Sequence, residues 1–265
     1  MGNLNTVRGF LLDMDGVLYR GMSVCPGARE LIAYFNAHAV PYLCLTNNAT
    51  RTAEEYDRKL AQLGIPVPGE RVLGTAETTA RWLARHAPGA TAFVIGTEGL
   101  KRELRAHGLR PVDTSEADLV VVGLDPELTY RKLEVATHAI FAGARFVGTN
   151  PDATFPGTNG LSPGCGAILA ALETATGARP VIIGKPEPII FREALRRLGL
   201  PPEAVAMVGD RLDTDILGGQ RMGLTTVLVL GGVTGPEELE TSPIRPDYVF
   251  EHLLDLLAAW REGRA

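Results

Sequence analysis

The sequence predicts an α/β protein, a doubly wound parallel-sheet core with a second α/β domain inserted into it. Three observations carry that expectation. Short apolar runs recur at Val7 to Leu12, Pro41 to Leu45, Val181 to Ile183, Ala204 to Val208 and Thr225 to Leu230, as in strands covered by helices on both faces. Helical patterns lie between the runs, and that alternation favours a parallel sheet. Roughly 135 residues separate Leu45 from Val181, against about 30 for a βαβ unit, which calls for an insertion.

Taken in order, a first helix is expected from Pro26, a favoured first helical position, through Leu31, Ile32 and Phe35 to near His38. Thr52 and Glu55 have the capping-box spacing and open a helix that runs to Leu63, where Gly64 stops it. A third follows Pro188 through Phe191, Leu195 and Leu198 to Gly199. The insertion has its own strand-like runs at Ala92 to Ile95, Leu119 to Val122 and Arg145 to Val147, with helices near Ala76 to His86 and Tyr130 to Phe141. Breaks near Gly74 and at Gly177-Ala178-Arg179-Pro180 read as hinges. Residues 1–75 plus 179–265 are therefore expected to form a discontinuous core domain, and residues 76–178 the inserted one.

Composition narrows the function. The 265 residues are 45% hydrophobic and 22% charged, ordinary for a globular chain that buries a sizeable core. A formal net charge of -5 gives no basic surface, so nucleic acid is not an expected partner. No apolar run reaches the roughly 18 residues of a membrane span, and no secretion signal precedes Arg8. Met1-Gly2 with Thr6 fits a loose myristoylation pattern, but no polybasic segment accompanies it. Cys25, Cys44 and Cys165 have neither metal-ligand nor disulfide spacing and read as reduced thiols of a cytoplasmic protein.

The chemistry lies at strand ends. Four expected strands run into polar groups: Asp13-Met14-Asp15-Gly16, Thr46-Asn47-Asn48, Gly184-Lys185-Pro186, and Gly209-Asp210 through Asp215. Parallel strands bring their carboxyl ends to one edge, where ligands of open α/β sheets bind. Gathered there, Asp13, Asp15, Asp210 and Asp215 would repel one another unless a hard cation intervened, and an all-oxygen site suits magnesium. Thr46 and Asn47 offer a hydroxyl and backbone N–H groups to phosphate oxygens, and Lys185 a compact positive charge. These parts are the ones phosphoryl transfer needs. Asp13 and Asp15, two apart in extended backbone, face the same side. One can attack phosphorus while the other protonates the leaving oxygen and later deprotonates water. Alone, each motif has a blander reading as a solvated turn or helix cap. In order, each at a strand end, they read as one site.

These motifs, Asp13-Met14-Asp15-Gly16-Val17-Leu18, Thr46-Asn47-Asn48, Gly184-Lys185-Pro186 and Gly209-Asp210-Arg211-Leu212-Asp213-Thr214-Asp215, resemble those of the haloacid dehalogenase (HAD) superfamily of phosphatases. Gly148-Thr149-Asn150-Pro151-Asp152 and Gly164-Cys165-Gly166-Ala167 look like the inserted domain of its NagD-like, p-nitrophenylphosphatase-type branch, subfamily IIA. The resemblance implies a Rossmann-like core with a cap that closes over substrate. It implies Asp13 as nucleophile and metal ligand, and Asp15 as general acid/base, with its backbone carbonyl on the metal. Thr46, Asn47 and Asn48 would hold the phosphoryl group, and Lys185 would position Asp13 and offset charge. Asp210 would complete the Mg²⁺ ligands, with Asp215 behind them; Asn150 and Asp152 would face the substrate or shape a turn. The expected substrate is a small phosphorylated metabolite, a sugar, glycerol, nucleotide or pyridoxal phosphate, with homo-oligomerisation left open.

Rival readings fare worse. Asp15 argues against carbon–halogen cleavage, whose enzymes lack the second motif aspartate. A phosphomutase would use the same core residues, but the long insertion resembles hydrolytic members more closely. A non-catalytic phosphate-binding module would be favoured by loss of Asp13 or Asp15, and both are present. Gly160-Leu161-Ser162-Pro163-Gly164 matches the serine-hydrolase elbow only in letters, because Pro163 has no N–H for an oxyanion hole. Gly164-Cys165-Gly166 lacks the third glycine of a dinucleotide fingerprint, and Lys185 precedes proline where a phosphate-binding loop needs Ser or Thr.

Overall fold

The computed structural model describes residues 2–157 and 160–263. Met1 of the myristoylation pattern and Thr158-Asn159 before the Gly-x-Ser-x-Gly match lie outside them. In chain order the strands are β1 (Gly9–Asp13), β2 (Tyr19–Arg20), β3 (Ser23–Val24), β4 (Tyr42–Thr46), β5 (Val72–Gly74), β6 (Thr91–Ile95), β7 (Arg110–Val112), β8 (Leu119–Val122), β9 (Arg145–Gly148), β10 (Thr154–Gly157), β11 (Gly160–Pro163), β12 (Val181–Ile182), β13 (Val205–Gly209), β14 (Thr225–Val229) and β15 (Tyr248–Phe250). The helices are α1 (Ala28–Ala37), α2 (Ala53–Leu63), α3 (Thr75–His86), α4 (Glu98–Ala106), α5 (Tyr130–Phe141), α6 (Cys165–Thr176), α7 (Pro188–Leu198), α8 (Leu217–Arg221), α9 (Pro236–Thr241) and α10 (Leu253–Glu262).

The chain divides into two compact units, one of Met1–Thr46, Ala53–Leu73 and Lys185–Ala265, the other of Asn47–Thr52 and Gly74–Gly184. The first is built on a six-stranded sheet ordered β15-β14-β13-β1-β4-β5. Its inner strands are parallel and buried on both faces, and alternate residues serve opposite layers. Phe10, Leu12, Tyr42, Cys44, Ala206 and Val208 join α1, α2 and α10 in one core through Ile32, Phe35, Leu60 and Trp260. Leu11, Leu43, Leu45, Val205 and Met207 point to the other layer, against Ile190, Phe191 and Ala194 of α7. Helix α1 begins at Ala28 rather than Pro26, because Gly27 has φ 83°, outside helical geometry.

The second unit is built on a five-stranded sheet ordered β12-β9-β8-β6-β7, with parallel pairing at every step. Phe93, Ile95, Val120 and Val122 pack on α5 and α6 through Val135, Ala139, Ile168 and Leu169. Two features correct the sequence-based expectation. The run at Val181, read as a strand of the larger sheet, pairs instead with Val147 and Gly148 of the smaller one. Helices α4 and α6 were not foreseen: α4 buries only Leu100 and Leu104 amid charged residues, and α6 is small and apolar around most of its girth. Ser162 lies inside β11 of an antiparallel hairpin, opposite Phe155, and not at a strand-to-helix elbow. No helix among the described residues is long and apolar enough to cross a membrane.

Candidate active site

Three neighbouring strands of the larger sheet end at the same level. Asp13 closes β1 opposite Leu45, so Thr46 follows one residue on; Leu12 pairs with Val208, so Gly209 and Asp210 follow on the other side. Lys185 enters from the segment before α7 and is buried, with 2% of its surface exposed. Its Nζ lies 2.5 Å from Asp13 Oδ1 and 2.7 Å from Asp215 Oδ1. Burial alone would lower the Lys185 pKa, but the two carboxylates outweigh it and hold the ammonium charged.

Asp13, Asp210 and Asp215 each offer a carboxylate oxygen within 4.8 Å of the others, and all three side chains are buried. Burial is the largest influence on each and raises its pKa, to about 8 for Asp210, where Asp13 and Asp215 add repulsion, and to about 6 for Asp215. Asp215 has both oxygens engaged, Oδ1 by Lys185 and Oδ2 by the Arg211 N–H at 3.2 Å. Asp210 is different. Its Oδ2 accepts the Val233 N–H at 2.8 Å, while Oδ1 is buried without a hydrogen-bond partner among the described residues. A buried carboxylate oxygen left this way is costly unless a cation meets it. The hard, all-oxygen donor set fits a divalent ion such as Mg²⁺.

Two glycines make room for Asp210. A Cβ on Gly16, which has φ +90°, would stand 2.0 Å from Asp210 Oδ2, and one on Gly232 1.9 Å from the same atom. The turn at Gly16 is closed by its N–H to the Tyr19 carbonyl at 2.8 Å.

Asp15 lies apart from that carboxylate cluster, its side chain half exposed. Tyr19 Oη donates to Asp15 Oδ2 at 3.5 Å, and Lys59 Nζ of α2 sits 4.0 Å from Oδ1 and 3.6 Å from the Tyr19 ring centroid. Burial raises the Tyr19 pKa far enough to keep its hydroxyl protonated. Neither Tyr19 nor Lys59 was among the expected site residues. The scarcity of lysine, four residues in all, was the available signal.

Asn47, Asn48, Asn150 and Asp152 belong to the second unit. There Asn47 Nδ2 donates to Asp152 Oδ1 at 3.1 Å, and Asn48 Oδ1 accepts the Thr50 N–H and Oγ1–H at 2.8 and 2.6 Å.

The profile of the haloacid dehalogenase-like hydrolases matches residues 10–110, and a second HAD-hydrolase-like profile matches residues 182–256. An acid sugar phosphatase of Staphylococcus saprophyticus is 41% identical over 254 residues, 96% of this chain and 98% of that one. The chain belongs to the haloacid dehalogenase-like hydrolases. Within that family it is a phosphatase of the NagD-like branch. The p-nitrophenyl phosphatase of Archaeoglobus fulgidus superposes with a TM-score of 0.91 at 38% identity, covering 96% of this chain and 99% of that one. A Mycobacterium tuberculosis glycerol phosphate phosphatase solved in complex with magnesium gives a TM-score of 0.88 at 38% identity, covering 97% and 79%.

Proposed function

We propose that this HAD phosphatase is Mg²⁺-dependent and hydrolyses small phosphate monoesters through an aspartyl phosphate on Asp13. The observation that carries the proposal is the buried triad of Asp13, Lys185 and Asp215 beside Asp210, whose Oδ1 meets no hydrogen-bond donor among the described residues. Lys185 opposes the upward push of burial on the Asp13 pKa and fixes the carboxylate in direction, as an in-line nucleophile must be. Asp13 attacks phosphorus as the ester P–O bond breaks, and Asp15 gives its proton to the departing alkoxide. Asp15 then takes a proton from water, which attacks phosphorus and releases phosphate and the Asp13 carboxylate. Thr46, Asn47 and Asn48 hold the phosphoryl oxygens.

Asp13, Asp210 and the Asp15 carbonyl are the residues that would hold Mg²⁺, with Asp215 kept back by Lys185 and Arg211. When bound, the ion neutralises phosphoryl charge and lowers the repulsion between nucleophile and substrate. The names of the relatives point to sugar phosphates, glycerol phosphate and aryl phosphates as substrates to try first.

The test is hydrolysis of p-nitrophenyl phosphate with Mg²⁺ and with a chelator, for wild type and Asp13→Asn. Turnover should require the ion and vanish in the variant while its circular dichroism is unchanged. A rate above a few per cent of wild type in clean Asp13→Asn protein would remove Asp13 as nucleophile. Asp15→Asn should still accumulate phosphoenzyme from aryl phosphates, seen by mass spectrometry.

A further inference from the structure

Within the second unit, Asn47 is hydrogen-bonded to Thr75, Asn150 and Asp152. Its carbonyl accepts two hydrogen bonds, from Thr75 Oγ1 and from Asn150 Nδ2, each at 2.8 Å. Its side-chain Nδ2 donates to Asp152 Oδ1 at 3.1 Å, and the Asp152 N–H donates to Asn150 Oδ1 at 3.1 Å. Asn47, Asn150 and Asp152 thus close a ring of hydrogen bonds, and Asn150 Nδ2 also reaches Thr149 Oγ1 at 3.2 Å. Asn47, Thr75, Thr149 and Asn150 are all buried, so these bonds have little competition from water.

Such a ring does something specific to the backbone. A peptide group is planar and trans, so fixing the direction of the Asn47 carbonyl fixes the opposite direction for the Asn48 N–H. Two donors on that carbonyl leave it one orientation. The Asn47 side chain is tied to the same ring, so it cannot swing independently of the backbone.

We propose that Asn150 and Asp152 are positioning residues for phosphate binding, acting through Asn47, and do not read the alcohol part of the substrate. The inference rests on the proposed reading that Thr46, Asn47 and Asn48 hold the phosphoryl group. The sequence left two roles open for Asn150 and Asp152, facing the substrate or shaping a turn, and this role departs from the first. Loss of the ring should weaken every phosphate ligand alike, because the part lost is common to all of them. A residue that touches the leaving group would instead change some esters and spare others.

The experiment uses the full chain with Mg²⁺ and inorganic phosphate as the probe, read as competitive inhibition of p-nitrophenyl phosphate hydrolysis. KM is measured in parallel for aryl, sugar and glycerol phosphates. Asn150→Asp removes the donor to the Asn47 carbonyl and Asp152→Ala the acceptor for Asn47 Nδ2. Each should raise the phosphate inhibition constant about tenfold and raise KM for all three esters by a common factor. Asp152→Asn keeps an acceptor oxygen and should stay within about twofold of wild type. Unchanged phosphate inhibition with altered selectivity among esters would overturn the inference. Asp152 is only half-buried, so its variants keep the test open if Asn150→Asp fails to fold. Thr46→Ala separates the underlying reading: if it leaves phosphate inhibition unchanged, the loop does not bind phosphate and both ideas fall.

Discussion

Lys185 Nζ stands between Asp13 Oδ1 and Asp215 Oδ1, at 2.5 and 2.7 Å, with all three side chains buried. One ammonium therefore offsets two carboxylates, of which Asp13 is the proposed nucleophile. Lys185→Met would leave both anions buried and facing each other. Removing one member of a buried ion pair typically costs about 3–5 kcal/mol. Urea unfolding of Lys185→Met should show a loss of that order at neutral pH, with turnover abolished. Adding Asp215→Asn removes one of the stranded charges and should restore part of the stability. Additive losses in the double mutant would show that the two residues are not coupled as described.

Lys59 gives a second prediction. It lies 4.0 Å from Asp15 and over the Tyr19 ring, so it meets the carboxylate proposed as acid/base from the side of α2. Asp15 is half exposed, which screens the pair and keeps its worth small. Lys59→Met keeps a long unbranched side chain at this position and removes the charge that lies over Tyr19. Protonation of the leaving group matters for alkyl esters and little for p-nitrophenolate. Glycerol phosphate turnover should fall about 3- to 10-fold, with p-nitrophenyl phosphate turnover nearly unchanged. Equal loss for both substrates would mean that Lys59 acts elsewhere.

The sequence made Asp13, Thr46 and Asp210 legible because parallel pairing forces adjacent strand ends to one edge, whatever the chain does between them. Lys185 was legible as a residue, but its strand was misplaced. The apolar run of Val181, Ile182 and Ile183 has no feature that names its partner, and it joins β9 of the smaller sheet. Thr75, Lys59 and the stretch Gly232-Val233 were silent for a related reason. Their roles come from distant contacts, to Asn47, Asp15 and Asp210, and one side chain or backbone N–H carries no local pattern. The Gly231-Gly232 pair after β14 was the nearest thing to a signal, since adjacent glycines often mark a close backbone approach.

Gly232 tests that approach directly. The chain from Gly232 to Thr234 wraps Asp210, with the Val233 N–H on Oδ2 at 2.8 Å and the Thr234 N–H on the Asp210 carbonyl at 3.0 Å. A methyl group on Gly232 would collide with Asp210 from 1.9 Å, so Gly232→Ala must move the carboxylate. Calorimetric titration with Mg²⁺ should give at least a tenfold weaker dissociation constant. Gly235→Ala, whose added Cβ meets nothing within 4 Å, is the control and should bind Mg²⁺ as wild type does.

The raised carboxylate pKa values set a pH dependence with a definite sign. Asp210 moves from 3.8 to about 8 and Asp215 from 3.8 to about 6, so each keeps a proton in the folded chain that the unfolded chain has released. Where the folded state binds more protons, stability falls as pH rises. For the metal-free protein this cluster's contribution should decline from about pH 4 towards pH 8, Asp215 acting over the lower part of that window. Mg²⁺ competes with the Asp210 proton, so its apparent affinity should climb with pH, by up to about tenfold per unit, and level off near pH 8. Thermal unfolding with and without Mg²⁺ at about pH 6, 7 and 8 reads both effects at once. The Mg²⁺-induced rise in Tm should be smallest at the acid end and grow with each step. A rise of constant size would mean that no proton is displaced, and that Asp210 is not where the ion binds.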